Sequence, residues 1–251
     1  MNDLSVGSTA FSPLDLGALL YFIVAWVAYG LSVGRLRGRM VSLSQIMNGH
    51  RYNWARQIIG RDNRVVDTQI NASLQNGTAF FASTSLIALG SVLTLSRSGD
   101  DVLNLFATLP FGTLANRLTW ELKVAGLAVV FVYAFFKFAW AYRLFNYAAI
   151  LLGAIPSKGS GASEAEMMRA VRRLAAMNVS AGRHFARGQR AFFFALAYLG
   201  WFISPYVLVA STTAVVVIMW RRQFASEIRK ALLAAGEGPH EGPLPIATEE
   251  P

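Results

Sequence analysis

Asp67, Asn71, Thr78 and Ser85 recur at intervals that put them on one stripe of an α-helix, while Gln69, Ser73, Asn76 and Ser83 fall on nearly the opposite side. Polar groups on two faces of a helix that runs on into an apolar stretch can line a polar pathway. They can equally hold neighbouring helices together by hydrogen bonds. Asp67 stands out because an ionisable group at membrane depth is costly without a partner. The sequence offers Lys137 and Arg143 for its charge, since both fall toward the same end of a later apolar segment. A paired carboxylate of this kind would sit at one mouth of a helical bundle. The candidate polar intramembrane site is therefore Asp67, Asn71, Gln75, Lys137 and Arg143. Snorkelling competes for Lys137, whose long stem can carry the ammonium to the headgroups.

Other chemistry is missing. With no cysteine in the chain, there is no thiol nucleophile, disulfide or Cys-based metal site. His50, His184 and His240 lack metal-ligand spacing on one helix. No Walker loop, G-x-S-x-G or H-E-x-x-H occurs. No catalytic residue, metal or cofactor is expected. A lipid-modifying enzyme using Asp67, Glu121 or His184 would have no motif behind it.

The elements that must position these groups follow from charge spacing. Residues 16–34, 68–96 and 191–220 contain no Asp, Glu, Lys or Arg. Each run matches the roughly 20 residues that cross a bilayer core, and a water-soluble helix needs a polar face over such a length. The first span is Leu14 to Val33. The second enters after Asp67 and is fully apolar from Ala79 to Leu95. The third, Lys123 to Tyr142, is interrupted by Lys137 and carries aromatic residues such as Tyr133, Trp140, Tyr142 and Tyr147, read as packing or interface belt. Its aliphatic and Phe residues favour insertion by about 3–5 kcal/mol together, against roughly 3 kcal/mol for a central lysine. The fourth, 191–220, is read as one span kinked at Pro205. A hairpin turning back near Ser204–Pro205 is the alternative, with each half too short to cross alone. Between the last two spans, Ser163 and Glu166 form a capping box that opens a cytoplasmic amphipathic helix. The fold class is thus all-α: a membrane-embedded bundle of four transmembrane helices plus that helix. Residues 1–235 form one domain, and 236–251 are a disordered acidic tail.

Basic residues set the topology. The segment before the first span has no Lys or Arg, whereas seven arginines lie between Arg35 and Arg64 and eight bases between Arg143 and Arg190. Both basic regions are expected in the cytoplasm, which makes the first span an uncleaved anchor of the inner membrane with its N-terminus outside. The bases Arg221, Arg222, Arg229 and Lys230 conflict with four crossings, which would leave the C-terminus outside. The net charge of +9 then serves anionic lipid headgroups rather than nucleic acid. Arg169, Arg172 and Arg173, on one side of the amphipathic helix, are the expected headgroup contacts. Gly30 and Gly34 give a G-x-x-x-G spacing that suits close helix approach and a homo-oligomer.

Four stretches are similar to the domain of unknown function 599 family. They are Arg64-Val-Val-Asp67-Thr-Gln69 on through Asn76-Gly77-Thr78; Trp120-Glu121-Leu122-Lys123; Tyr133-Ala-Phe-Phe-Lys137-Phe-Ala-Trp140 through Asn146-Tyr147; and His184-Phe-Ala-Arg187-Gly188-Gln189-Arg190. The resemblance implies a multi-pass membrane protein and carries no activity, substrate or catalytic residue. Two functions are expected in order: transport or conduction of a small solute or ion, resting on the two-faced polar second span, and a non-catalytic scaffold or assembly factor that binds lipid or a partner protein.

Overall fold

The apolar runs become helices in the computed structural model, which describes residues 11–35, 42–97, 117–157, 159–225 and 227–234. In chain order these are α1 (Pro13–Arg35), α2 (Leu43–Gln57), α3 (Val65–Arg97), α4 (Arg117–Gly153), α5 (Glu164–Tyr198), α6 (Pro205–Phe224) and α7 (Glu227–Ala234). Short 3-10 turns occupy Ile58–Gly60 and Leu199–Phe202. Among the described residues there is no strand. Among the described residues, four segments are long and apolar enough to cross a membrane: Pro13–Val33, Val65–Leu95, Arg117–Gly153 and Pro205–Phe224. The chain is an all-α, multi-pass membrane protein. Arg37, Arg39, the loop with Asp100, Asp101 and Pro110, and the acidic tail lie outside the described residues.

Local chemistry explains where the helices begin. The expected capping box opens α5: the Ser163 hydroxyl accepts from the Glu166 amide, and the Glu166 carboxylate accepts from the Ser163 amide. A second one, Ser42 with Gln45, opens α2.

The fourth span departs from expectation. Residues 191–220 are not one kinked helix. The chain leaves α5 through the 3-10 turn, extends at Ser204 and starts α6 at Pro205. Ser204 caps the new helix by accepting from the Val207 amide, and Pro205 takes the first helical turn, where its missing N–H costs nothing. The proline therefore starts a helix instead of bending one. The chain then folds back: the Ser211 hydroxyl donates to the Ala197 carbonyl at 2.7 Å. Gly200 permits the reversal, because a Cβ there would stand 2.8 Å from the Ser211 hydroxyl oxygen. The sequence argument that each half is too short also fails. α6 is 20 residues long, and the other half belongs to the 35-residue α5.

This turn settles which ends lie together. The Trp201 indole donates to Asp15 at 2.8 Å, near the start of α1. Gln223, near the end of α6, donates to Ser44 at the start of α2 at 3.0 Å. Arg221 and Arg222 thus lie at the same end as the start of α2. The conflict over the C-terminal charges disappears, because α5 and α6 together make an excursion out and back.

α3 and α4 are longer than a bilayer requires. Their 33 and 37 residues make helices about 50 and 55 Å long, against roughly 30 Å of hydrocarbon. They run antiparallel, with Phe81 stacked on Phe138 at 5.4 Å and Arg64 donating to Ile155 O at 2.6 Å. Their surplus therefore projects at one end. There α2 and the first half of α5 join them in a lobe whose core includes Ala55, Ile58, Ala148, Leu152, Val171 and Leu174. Arg56, Arg61, Arg64, Arg143, Arg169 and Arg172 belong to this lobe by their place in the chain. The membrane half is packed by aromatic rings, with Phe22 against Trp26, Phe194 and Tyr198, and Trp26 stacked on Phe194. α5 links the two halves. Its Gly188 lies so close to α4 that a Cβ would stand 2.7 Å from the Phe138 ring.

Candidate functional site

Asp67 is fully buried, and its Oδ1 accepts hydrogen bonds from the Trp54 indole at 2.8 Å and from the Arg61 guanidinium. Its Oδ2 has no partner among the described residues. The expected pairing with Lys137 or Arg143 is corrected here. The α3–α4 register sets Asp67 opposite the turn at Leu152. That is 15 residues from Lys137 and 9 from Arg143, or about 22 and 14 Å along the helix. Lys137 instead holds its ammonium 5.1 Å from the Tyr133 ring centre. Arg143 donates to the Tyr147 hydroxyl at 2.7 Å and lies against the rings of Trp140 and Tyr147.

The polar stripes of α3 divide in the same way. Asn71 donates to Phe145 O at 3.3 Å and Gln75 to the Asn146 side chain at 2.9 Å, so both tie α3 to α4. The Thr78 and Ser85 hydroxyls donate to carbonyls of their own helix. Gln69, Ser73, Asn76 and Ser83 are exposed. The first three fall on the part of α3 that belongs to the lobe, so their polarity suits water. Arg169, Arg172 and Arg173 are exposed near the start of α5. They stand 14 to 18 residues, or about 21–27 Å, from Arg187, which is level with the end of α1.

A different concavity lies in the membrane half. A groove of about 820 Å³ runs between α1 and α4 with α5 as its floor. Its walls include Leu19, Ile23 and Val27 on one side and Leu122, Val129 and Tyr133 on the other. From Leu19 to Leu31 it extends about 18 Å along α1, close to the depth of one leaflet. Its wall residues Ile23, Val27 and Val129 are exposed, so the groove opens sideways toward lipid.

At the end nearer the lobe the groove meets a second, polar pocket of about 440 Å³. Gly30, Arg187 and Arg190 border both. No atom lies within 4 Å of where a Gly30 Cβ would stand, which leaves the passage open. The pocket also holds Arg51, Arg183, Asn48 and Gln189. No carboxylate lines either space among the described residues, and residues 36–41 contain none. Arg51 donates to Asn48 Oδ1 at 2.8 Å. Burial lowers its pKa from the ordinary arginine value. It passes directly over Gly182, where a Cβ would meet the guanidinium at 2.8 Å.

Phe11 and Trp201 line the other end of the groove, and an ion pair lies against that indole. The Lys123 ammonium lies 3.5 Å from Asp15 Oδ1 and donates to Trp201 O at 3.0 Å, with the Trp201 ring centre 4.9 Å away. Phe11 stacks on the same indole at 5.5 Å. Sequence reasoning singled out none of Asp15, Trp201, Arg51, Arg187 and Arg190 as site residues. The only local signal was that Arg187 and Arg190 stand immediately before an apolar run.

Two findings accompany this geometry. A family model described as "Protein of unknown function, DUF599" matches residues 17–228. No curated protein and no solved structure matches the chain.

Proposed function

The chain belongs to the family of unknown function DUF599, and from the geometry of this member we propose that it is a lipid-binding membrane protein, holding the chain of an amphiphile in the groove between α1 and α4. One observation carries the reading: an apolar groove of one-leaflet depth opens sideways at membrane level and ends in a basic pocket. Ligand sites of this size are mostly apolar, with a few convergent polar groups that fix orientation. Of the two functions expected from the sequence, this is nearer to the lipid-binding scaffold. A solute pathway loses its main support, because Asn71, Gln75, Thr78 and Ser85 are bonded within the α3–α4 pair. The arginine-rich end is taken as cytoplasmic and the membrane as the inner one, so the amphiphile belongs to the cytoplasmic leaflet. Headgroup contact then falls to Arg187 and Arg190 in place of Arg169, Arg172 and Arg173.

The test fills the groove. Ile23 and Val129 are exposed groove-wall residues, so Ile23→Trp with Val129→Trp occupies space at little cost to folding. Native mass spectrometry of the detergent-purified protein should show a retained lipid on the unsubstituted chain and its loss from the double variant, with the two unfolding midpoints equal once both are delipidated. Equal lipid retention by both would overturn the reading.

A further inference from the structure

Resting on that lipid-binding reading, we infer that the bound chain carries an oxygen function part-way along its length, which accepts a hydrogen bond from the Tyr198 hydroxyl. The ligand class is then an oxygenated lipid, whose hydrocarbon chain bears a hydroxyl, keto or ester oxygen well beyond the head. Two observations carry this. Tyr198 is 3% exposed and lines the groove, among walls that are mainly aliphatic and aromatic. Among the described residues its hydroxyl has no hydrogen-bond partner. A hydroxyl held in apolar surroundings without an acceptor costs free energy. Phenylalanine would fill the same place without that cost, so the oxygen needs an explanation that packing does not give.

The hydroxyl is held in place. The Tyr198 ring meets Phe22 at 5.4 Å and Trp201 at 5.3 Å, both edge to face. The phenol reaches across to α4, where Gly126 makes room for it: a Cβ there would stand 2.1 Å from the Tyr198 oxygen. Gly126 lines the groove as well, so the hydroxyl sits where floor meets wall, on the surface a bound chain touches. Tyr133, the other phenol of the groove, is 40% exposed and lies near Arg190, at the basic end. Distance separates Tyr198 from that end. It follows Arg190 by 8 residues and Arg187 by 11, about 12 and 16 Å along α5. The ester carbonyls of a glycerolipid adjoin its head, so with the head at the arginines they fall short of Tyr198. A plain hydrocarbon chain would leave the hydroxyl without a partner. An oxygen on the chain itself supplies one.

The experiment measures binding of three acids of equal length to the full chain in detergent: octadecanoic acid, its counterpart hydroxylated in mid-chain, and its counterpart hydroxylated beside the carboxyl. A neutral hydrogen bond to an otherwise unpartnered group supports a preference of about three- to tenfold. The mid-chain hydroxy acid should lead the other two by that factor. Tyr198→Phe keeps the ring and its contacts, so this variant should fold and should bind plain octadecanoic acid as the unsubstituted chain does. It should lose the preference and bind the mid-chain hydroxy acid no better than the plain one. Equal binding of all three acids by the unsubstituted chain would overturn the oxygenated ligand and leave the lipid reading standing. A mid-chain preference that survives in Tyr198→Phe would overturn the assignment to this hydroxyl. Binding of none would sink both readings.

Discussion

Asp15→Asn is expected to destabilise the protein by about 3 kcal/mol, because it leaves a lysine charge buried without its counter-ion. The Lys123 side chain is 7% exposed and lies 3.5 Å from the carboxylate. The variant asparagine can still accept from the Trp201 indole, so the loss isolates charge from hydrogen bonding. Lys123→Met should cost less, since an Asp15 left alone keeps the bonds from Ser12 and Trp201. The double variant should be more stable than Asp15→Asn alone, because removing both charges is cheaper than stranding one. Unfolding midpoints in detergent for the two single variants and the double variant give the coupling directly. Additive losses would show that the pair contributes nothing beyond its separate contacts. The pair joins the start of α1 to α4 and to the turn between α5 and α6, so its loss should also loosen Trp201, which lines one end of the groove.

Asp67→Asn is expected to have a smaller effect in the lobe, about 2 kcal/mol, from weakening the hydrogen bonds to a charged carboxylate. The carboxylate is fully buried and receives Trp54 and Arg61. Arg61 is 41% exposed, so its stranded charge can reach water. The double variant Asp67→Asn, Arg61→Met should therefore recover only part of the loss. Lys137→Met and Arg143→Met should each be additive with Asp67→Asn, since both bases are engaged with aromatic side chains far along α4. Coupling between Asp67 and either of them, with none to Arg61, would refute the register described for α3 and α4.

Charge-free runs were enough to locate the first two spans, the insertion balance against Lys137 located the third, and the Ser163–Glu166 box located the start of α5, because these signals are local. The reversal at Leu199–Ser204 lies inside one uninterrupted apolar run, where hydropathy has no contrast. Ser204-Pro205 was legible as a cap followed by a first-turn proline, but the same dipeptide also reads as a kink. Asp67 was singled out by its chemistry, but the structure pairs it with Arg61 and not with the two bases expected. Pairing it with α4 requires the interhelix register, whereas its actual partner, Arg61, comes from the short connection six residues earlier. The water-facing polarity of Gln69 and Asn76 followed from α3 outrunning the bilayer, which composition alone does not reveal. The groove was not legible at all. Its walls come from α1 and α4, its charges from α2 and α5, and Arg187 and Arg190 counted in the sequence only as bases that fix topology.

The lipid-binding account is tested most directly by mapping where a lipid chain rests. A diacylglycerol phosphate with a photoreactive acyl chain, reconstituted with the full protein in a bilayer and irradiated, should mark Ile23, Val27 and Val129 in the groove well above Phe80 and Ile87. Those two residues of α3 are comparably exposed and lie outside the groove. Excess unlabelled diacylglycerol phosphate should abolish the groove labelling and leave the α3 labelling unchanged. Even labelling of all five positions, insensitive to competitor, would contradict the account and mark the groove as ordinary lipid-exposed surface.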